Sequence, residues 1–175
     1  MKTLGVGIAA VIIAAGGSVR ADPKNLDVGG FLVEKTYTLP ASPDEVYDAM
    51  TGDVSEWWDH TFSGAPQALY IEAKPGGGFY EIFDESGDGV KHGEVIAAQR
   101  GKMLKLRGPL GFSGKALDMV HTFTLEEADD GTRLHLAVHA AGEMEDGWAD
   151  AVDGVWDHFI GERLRAYLKG ELPAE

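Results

Sequence analysis

The 175-residue chain predicts an α+β domain: an antiparallel meander covered by one long carboxy-terminal helix, with two short helices after the first strand. Three observations predict it. Between residues 68 and 140 apolar side chains recur with a period of two, broken by turn-forming stretches; between 145 and 168 they recur at helical spacing. Near residue 42 a helix-capping sequence follows the first strand-like run. With 44% apolar and 25% charged residues the composition is that of an ordinary globular domain.

Each element has a local cause. Residues 1–21 are expected to be a cleaved secretory signal: Lys2 supplies a positive start, 4–17 are uncharged and mostly apolar, and Val19-Arg20-Ala21 ends in small residues. That apolar stretch falls short of the roughly 20 residues a spanning helix needs. A polar lead over 22–30 precedes one domain over 31–170. "FLVEKTYTL" (31–39) reads as a strand stopped by Pro40. Ser42, Pro43 and Glu45 form a capping box with proline at the first helical position, so a helix follows, ended by Gly52. Asp53 then caps a second short helix carrying Trp57 and Trp58. Because adjacent side chains on a helix diverge by about 100°, one flat surface does not easily accept both indoles, so either one of the pair meets a second surface or both are packed into the core from different sides.

Strands are expected at 69–73, 78–84, 90–98, 103–107, 116–127 and 132–140, joined by short glycine-containing turns that imply antiparallel pairing. The last segment, 145–168, places Trp148, Val152, Val155, Trp156, Phe159, Ile160, Leu164 and Tyr167 on one apolar stripe. At 1.5 Å per residue this rod is about 30 Å long, enough to cross a sheet.

Several stretches carry a resemblance. "ASPDEVYDAMT", "EWW", "AKPGGGFYE", "HGEVIAAQRGKMLKLR", "HTFTLEEADDGTRLHL" and "GWADAVDGVWDHFIGERLRAYL" resemble, in order, the SRPBCC superfamily (START and polyketide cyclase-like proteins), in the branch of chaperone-ATPase-activator homologues. The resemblance implies a helix-grip fold, a curved antiparallel sheet wrapped around the terminal helix with a cavity between them. It also implies three functions among relatives: small-molecule carriage, cyclase- or hydrolase-like catalysis, and protein binding. A secretory signal departs from the mostly cytosolic pattern of the branch and argues against a role on a cytosolic chaperone.

Alternation combined with that resemblance names the cavity walls as Trp58, Phe79, Leu104, Leu106, Met119, Phe123, Trp156 and Phe159, with Glu81 and His121 as polar contacts. His121 shares a face with Leu117, Met119, Phe123 and Leu125, and Glu81 shares one with Phe79 and Phe83. If buried, Glu81 is expected to have a raised pKa, suited to acid-base work beside His121. His92, next to Glu94, is expected at the surface.

Other chemistries find little support. His135 and His139 on a strand lie about 13 Å apart, too far to share an ion, and His158 with Glu162 supplies only two helical ligands, so no metal or cofactor site is expected. Gly76–Gly78 is a turn with no following Lys-Ser/Thr, and neither Ser63 nor Ser113 sits in a strand-turn-helix nucleophile setting. There is no cysteine, which excludes disulfides and thiol catalysis. Removing residues 1–21 leaves 13 basic and 29 acidic side chains, a formal charge of −16 that repels phosphate backbones and anionic lipid. The expectation is therefore a secreted, periplasmic carrier or sensor whose partner is a small hydrophobic molecule, without nucleic acid and without stable membrane association once the signal is cut. The alternatives are an enzyme using Glu81 and His121, and a protein-binding module showing a large exposed apolar patch.

Overall fold

The structure is a computed structural model that describes residues 24–172; the expected signal peptide over 1–21 and the first two residues of the lead lie outside the described residues. β1 (Val28–Leu39) begins three residues before the expected strand. The two glycines at its start have poor strand propensity, but β8 (Gly131–Glu143) holds them in register, Gly29 opposite Gly142 and Gly30 opposite Ala141. α1 (Pro43–Ala49) starts as the sequence dictates: the Ser42 hydroxyl accepts from the Glu45 amide, and the Glu45 carboxylate accepts from the Ser42 amide at 2.9 Å.

The second short helix does not form. Gly52–Asp53 pairs instead with Ile71 and Tyr70 as a two-residue strand, β2, which ties the would-be helix start into the sheet. The Asp53 carboxylate still accepts from the Ser55 amide and hydroxyl, but only a single turn follows, closed by the Trp58 amide donating to the Val54 carbonyl at 3.0 Å.

β3 (Ala68–Ile71), β4 (Gly78–Ile82), β5 (Gly89–Gln99), β6 (Met103–Arg107) and β7 (Leu117–Ala128) complete one eight-stranded antiparallel sheet in the order β1-β8-β7-β6-β5-β4-β3-β2. The sheet is curved. Two bulges interrupt the β5 ladders, one leaving His92 unpaired opposite Phe79/Tyr80 and one leaving Ile96 unpaired opposite β6. The β5–β6 turn requires a left-handed residue, which Gly101 supplies at φ +68°.

Across the sheet lies a continuous 22-residue helix, α2, consisting of α-helical turns at Trp148–Trp156, π-helical turns at Asp157–Leu164 and α-helical turns at Arg165–Lys169. Its buried side chains are Val152, Trp156, Phe159, Ile160 and Leu164. Lys35 fastens it to β1 through Asp153 and Asp157, each at 2.7 Å, and the Tyr37 hydroxyl donates to Asp157 at 3.1 Å. Among the described residues no helix is long and apolar enough to cross a membrane. The inner face of the sheet alternates as expected: Leu117, Met119, His121, Phe123 and Leu125 point in, and Leu134, Leu136 and Val138 of β8 join them.

Candidate ligand cavity and its mouth

Helix and sheet do not close on each other along their whole length. Between them lies a cavity of about 590 Å³ with mainly apolar walls. The strands contribute Phe79, His92, Met119 and His121; α2 contributes Ala151, Val152, Val155, Trp156 and Phe159. The mouth is built by the segment Trp58–Phe62 and by Pro109–Phe112, which contains a 3₁₀ turn.

The two adjacent tryptophans both turn inward, in different directions. The Trp57 indole donates to the Ala49 carbonyl at 2.8 Å and packs away from the cavity, whereas the Trp58 indole donates to the His60 carbonyl at 2.9 Å and forms part of the wall. Trp58 stacks on Phe159, with centroids 3.9 Å apart and planes 16° from parallel, and meets Phe79 and Trp156 edge-on. These four rings form one rigid aromatic wall.

Six of the ten expected wall residues line this space: Trp58, Phe79, Met119, His121, Trp156 and Phe159. Leu104, Leu106, Phe123 and Glu81 do not. All four face inward and are buried, but they contribute to the filled core or to a polar clamp instead of the cavity surface. Alternation fixes the face of a strand residue and not its position relative to the hollow.

Glu81 is the largest correction. Its oxygens accept from the Phe62 amide at 2.9 Å, the Ser63 amide and hydroxyl at 2.8 Å each, and His92 Nε2 at 2.9 Å. Burial pushes its pKa upward, but the two backbone amides, the Ser63 hydroxyl and His92 outweigh that and hold the carboxyl below its ordinary range. It is an ionised anchor for the mouth loop, not the raised-pKa acid expected. Its imidazole partner is His92, and no hydrogen bond joins it to His121. His92 is 6% exposed, not at the surface; the bulge that leaves it unpaired turns it to the same side as its neighbour Gly93.

His121 is 1% exposed, and burial lowers its pKa to about 4, so it is neutral at ordinary pH. Nε2 lies 3.4 Å from the Gly108 carbonyl, an acceptor only, so Nε2 carries the proton in that contact and Nδ1 is left as an acceptor. Nδ1 has no partner within the protein. At the mouth, Asp59, His60 and His158 also cluster, a grouping hidden from sequence spacing. Desolvation raises the Asp59 pKa, but hydrogen bonds from His158 and His60 bring it below the usual carboxylate value.

Comparison with known families decides the lineage. Residues 40–169 match the family described as activator of Hsp90 ATPase homolog 1-like protein. The chain belongs to that family. With it comes membership of the SRPBCC superfamily and its helix-grip fold, a fold known for ligand binding. A solved protein from Rhizobium leguminosarum has 13% identity and TM-score 0.64, covering 85% of this chain and all of its own. One of unknown function from Staphylococcus aureus has 15% identity and TM-score 0.65, over 83% of this chain and 98% of its own. A third, from Mesorhizobium loti, has 22% identity and TM-score 0.57, over 82% and 100%. At these identities the likeness is one of fold. No protein of curated function matches the chain.

Proposed function

We propose that the protein is an exported carrier or sensor that binds a small hydrophobic molecule bearing one hydrogen-bond donor. The observation that carries this reading is the cavity itself, mainly apolar and lined in part by His121, whose buried Nδ1 has no partner within the protein. An unsatisfied buried acceptor costs about 1–3 kcal/mol, and a ligand hydroxyl or amide N–H reaching it recovers that cost. A volume of about 590 Å³ falls within the ordinary range for small-molecule sites. Export rests on the signal-like residues 1–21. The catalytic alternative loses its proposed pair, because the Glu81 carboxylate is engaged by the mouth loop and His92. The large exposed apolar side chains among the described residues, Leu26, Val28, Leu32, Phe62 and Ile96, are distributed over β1, its lead, the mouth loop and β5.

The test compares 2-naphthol with 2-methylnaphthalene, two probes of similar shape that differ in one donor, by quenching of the cavity tryptophans. The wild-type protein is expected to prefer naphthol about tenfold, the worth of one hydrogen bond. His121→Phe should erase the preference, and Val155→Phe, which fills the hollow, should abolish both signals. Binding of both probes unchanged by Val155→Phe, or no binding at all, overturns the reading.

A further inference from the structure

The mouth carries an arrangement that ligand binding leaves unused. Asp59 and His60 sit side by side on the mouth segment, and the π-helical turns of α2 bring His158 to them across 99 positions of sequence. His60 Nδ1 lies 2.8 Å from Asp59 Oδ1, and His158 Nε2 lies 2.9 Å from each Asp59 oxygen. One donor atom from each of the three residues falls within 4.8 Å of the others. On its far side, His158 Nδ1 stands 3.4 Å from Glu162 Oε2.

His158 has a carboxylate at each ring nitrogen, Asp59 at Nε2 and Glu162 at Nδ1. With a cation seated among Asp59, His60 Nδ1 and His158 Nε2, Nε2 bonds the ion and the Nδ1–H is free to donate to Glu162. That carboxylate-histidine-metal order is the usual outer support of a ligating imidazole.

We propose that Asp59, His60 and His158 form a binding site for a divalent transition-metal ion at the cavity mouth, with Glu162 as the positioning residue behind His158. Two imidazoles and one carboxylate suit zinc, cobalt, nickel or copper better than magnesium or calcium, which prefer all-oxygen sets. Bonds of about 2.0–2.2 Å in a tetrahedron separate ligand atoms by roughly 3.4 Å, so the present contacts must open by about half an ångström. The side chains have room: His60 is 60% exposed and Asp59 34%. Arg163 also approaches Asp59, at 3.5 Å, but its Nε donates to the Trp57 carbonyl at 3.0 Å, which leaves it bracing the backbone of the ligand-bearing segment. Three protein ligands leave a further position for water or for a donor atom of whatever fills the cavity, since Asp59 and His60 are also cavity-lining. The site stands on its own geometry and does not depend on the carrier reading.

The test is titration of chelator-treated protein with cobalt(II), followed by visible d–d absorption and by displacement with zinc. One equivalent is expected to bind with a tetrahedral-type spectrum. Asp59→Asn, His60→Gln and His158→Ala should each weaken binding at least tenfold, and Glu162→Gln about tenfold with the spectrum retained. The double variant His135→Ala/His139→Ala, which alters exposed histidines on β8, should bind as wild type. Circular dichroism checks the fold of each variant. The proposal is overturned if no stoichiometric cobalt spectrum appears, leaving only an Asp59–His158 ion pair. It is equally overturned if the spectrum survives in folded His158→Ala protein or is lost in the β8 double variant.

Discussion

Two buried polar groups on the inner face of the same sheet have opposite fates. On β4 the carboxylate of Glu81 collects four donors and ties the mouth segment to the sheet; on β7 the Nδ1 of His121, a residue of the cavity lining, collects none. The contrast separates structure from readiness to bind. A satisfied buried group has no capacity left for a ligand, whereas a neutral, unsatisfied acceptor in a hollow is preformed for one. It also shows why face assignment alone misplaced the chemistry: both residues point inward, and only their surroundings distinguish them.

The contrast breaks first at Glu81. Glu81→Ala strands the His92 ring, the Ser63 hydroxyl and two backbone amides, and is expected to cost about 3–5 kcal/mol. At this chain length that lowers the melting temperature by about 10 °C, readable by circular dichroism. An unchanged midpoint would mean that the clamp is not holding the mouth.

The pH response sharpens the other side. Folded His121 stays neutral down to about 4, while its ordinary value is 6.5. Between these values the unfolded chain binds the extra proton, so the contribution of His121 is fully present above pH 6.5 and is lost as pH falls toward 4. Over that window the loss is about 3 kcal/mol, and His121→Phe should flatten the corresponding slope in urea-denaturation stability measured against pH. Glu81 acts lower: its depressed pKa makes its contribution present above 4.5 and lost as pH falls through the folded value. A slope that persists between 6.5 and 5 in His121→Phe protein would assign it to another group. The smallest effect belongs to a site remote from both. Ser42→Ala removes the α1 cap and should cost about 1 kcal/mol while leaving naphthol binding unchanged.

Much of the architecture was legible because it rests on local rules. The Ser42–Glu45 capping box, the period-two pattern of 117–125 and the apolar stripe of the last helix each translate directly into an observed element. The candidate site was legible only in part. Trp58, Phe79, Met119, His121, Trp156 and Phe159 follow from face assignment combined with the family resemblance, but Leu104, Leu106 and Phe123 were named on the same grounds and lie in the filled core. His92 was hidden by a bulge that shifts the alternation by one residue, and nothing in "VKHGE" announces it. Asp59, His60 and His158 meet only because a loop and a helix cross, so spacing along the chain, which is informative about His135 and His139, is silent about them.

The pairing of β1 with β8 has a kinetic consequence. Contacts such as Thr36 with His135 join residues 99 apart, so β1 waits for β8. Such high contact order slows folding and leaves Tyr37 and Leu39 without strand partners until Leu134 and Thr132 have emerged. Loss of β8 strips β1 of its one neighbour among the described strands, so damage to either strand is transmitted to the other.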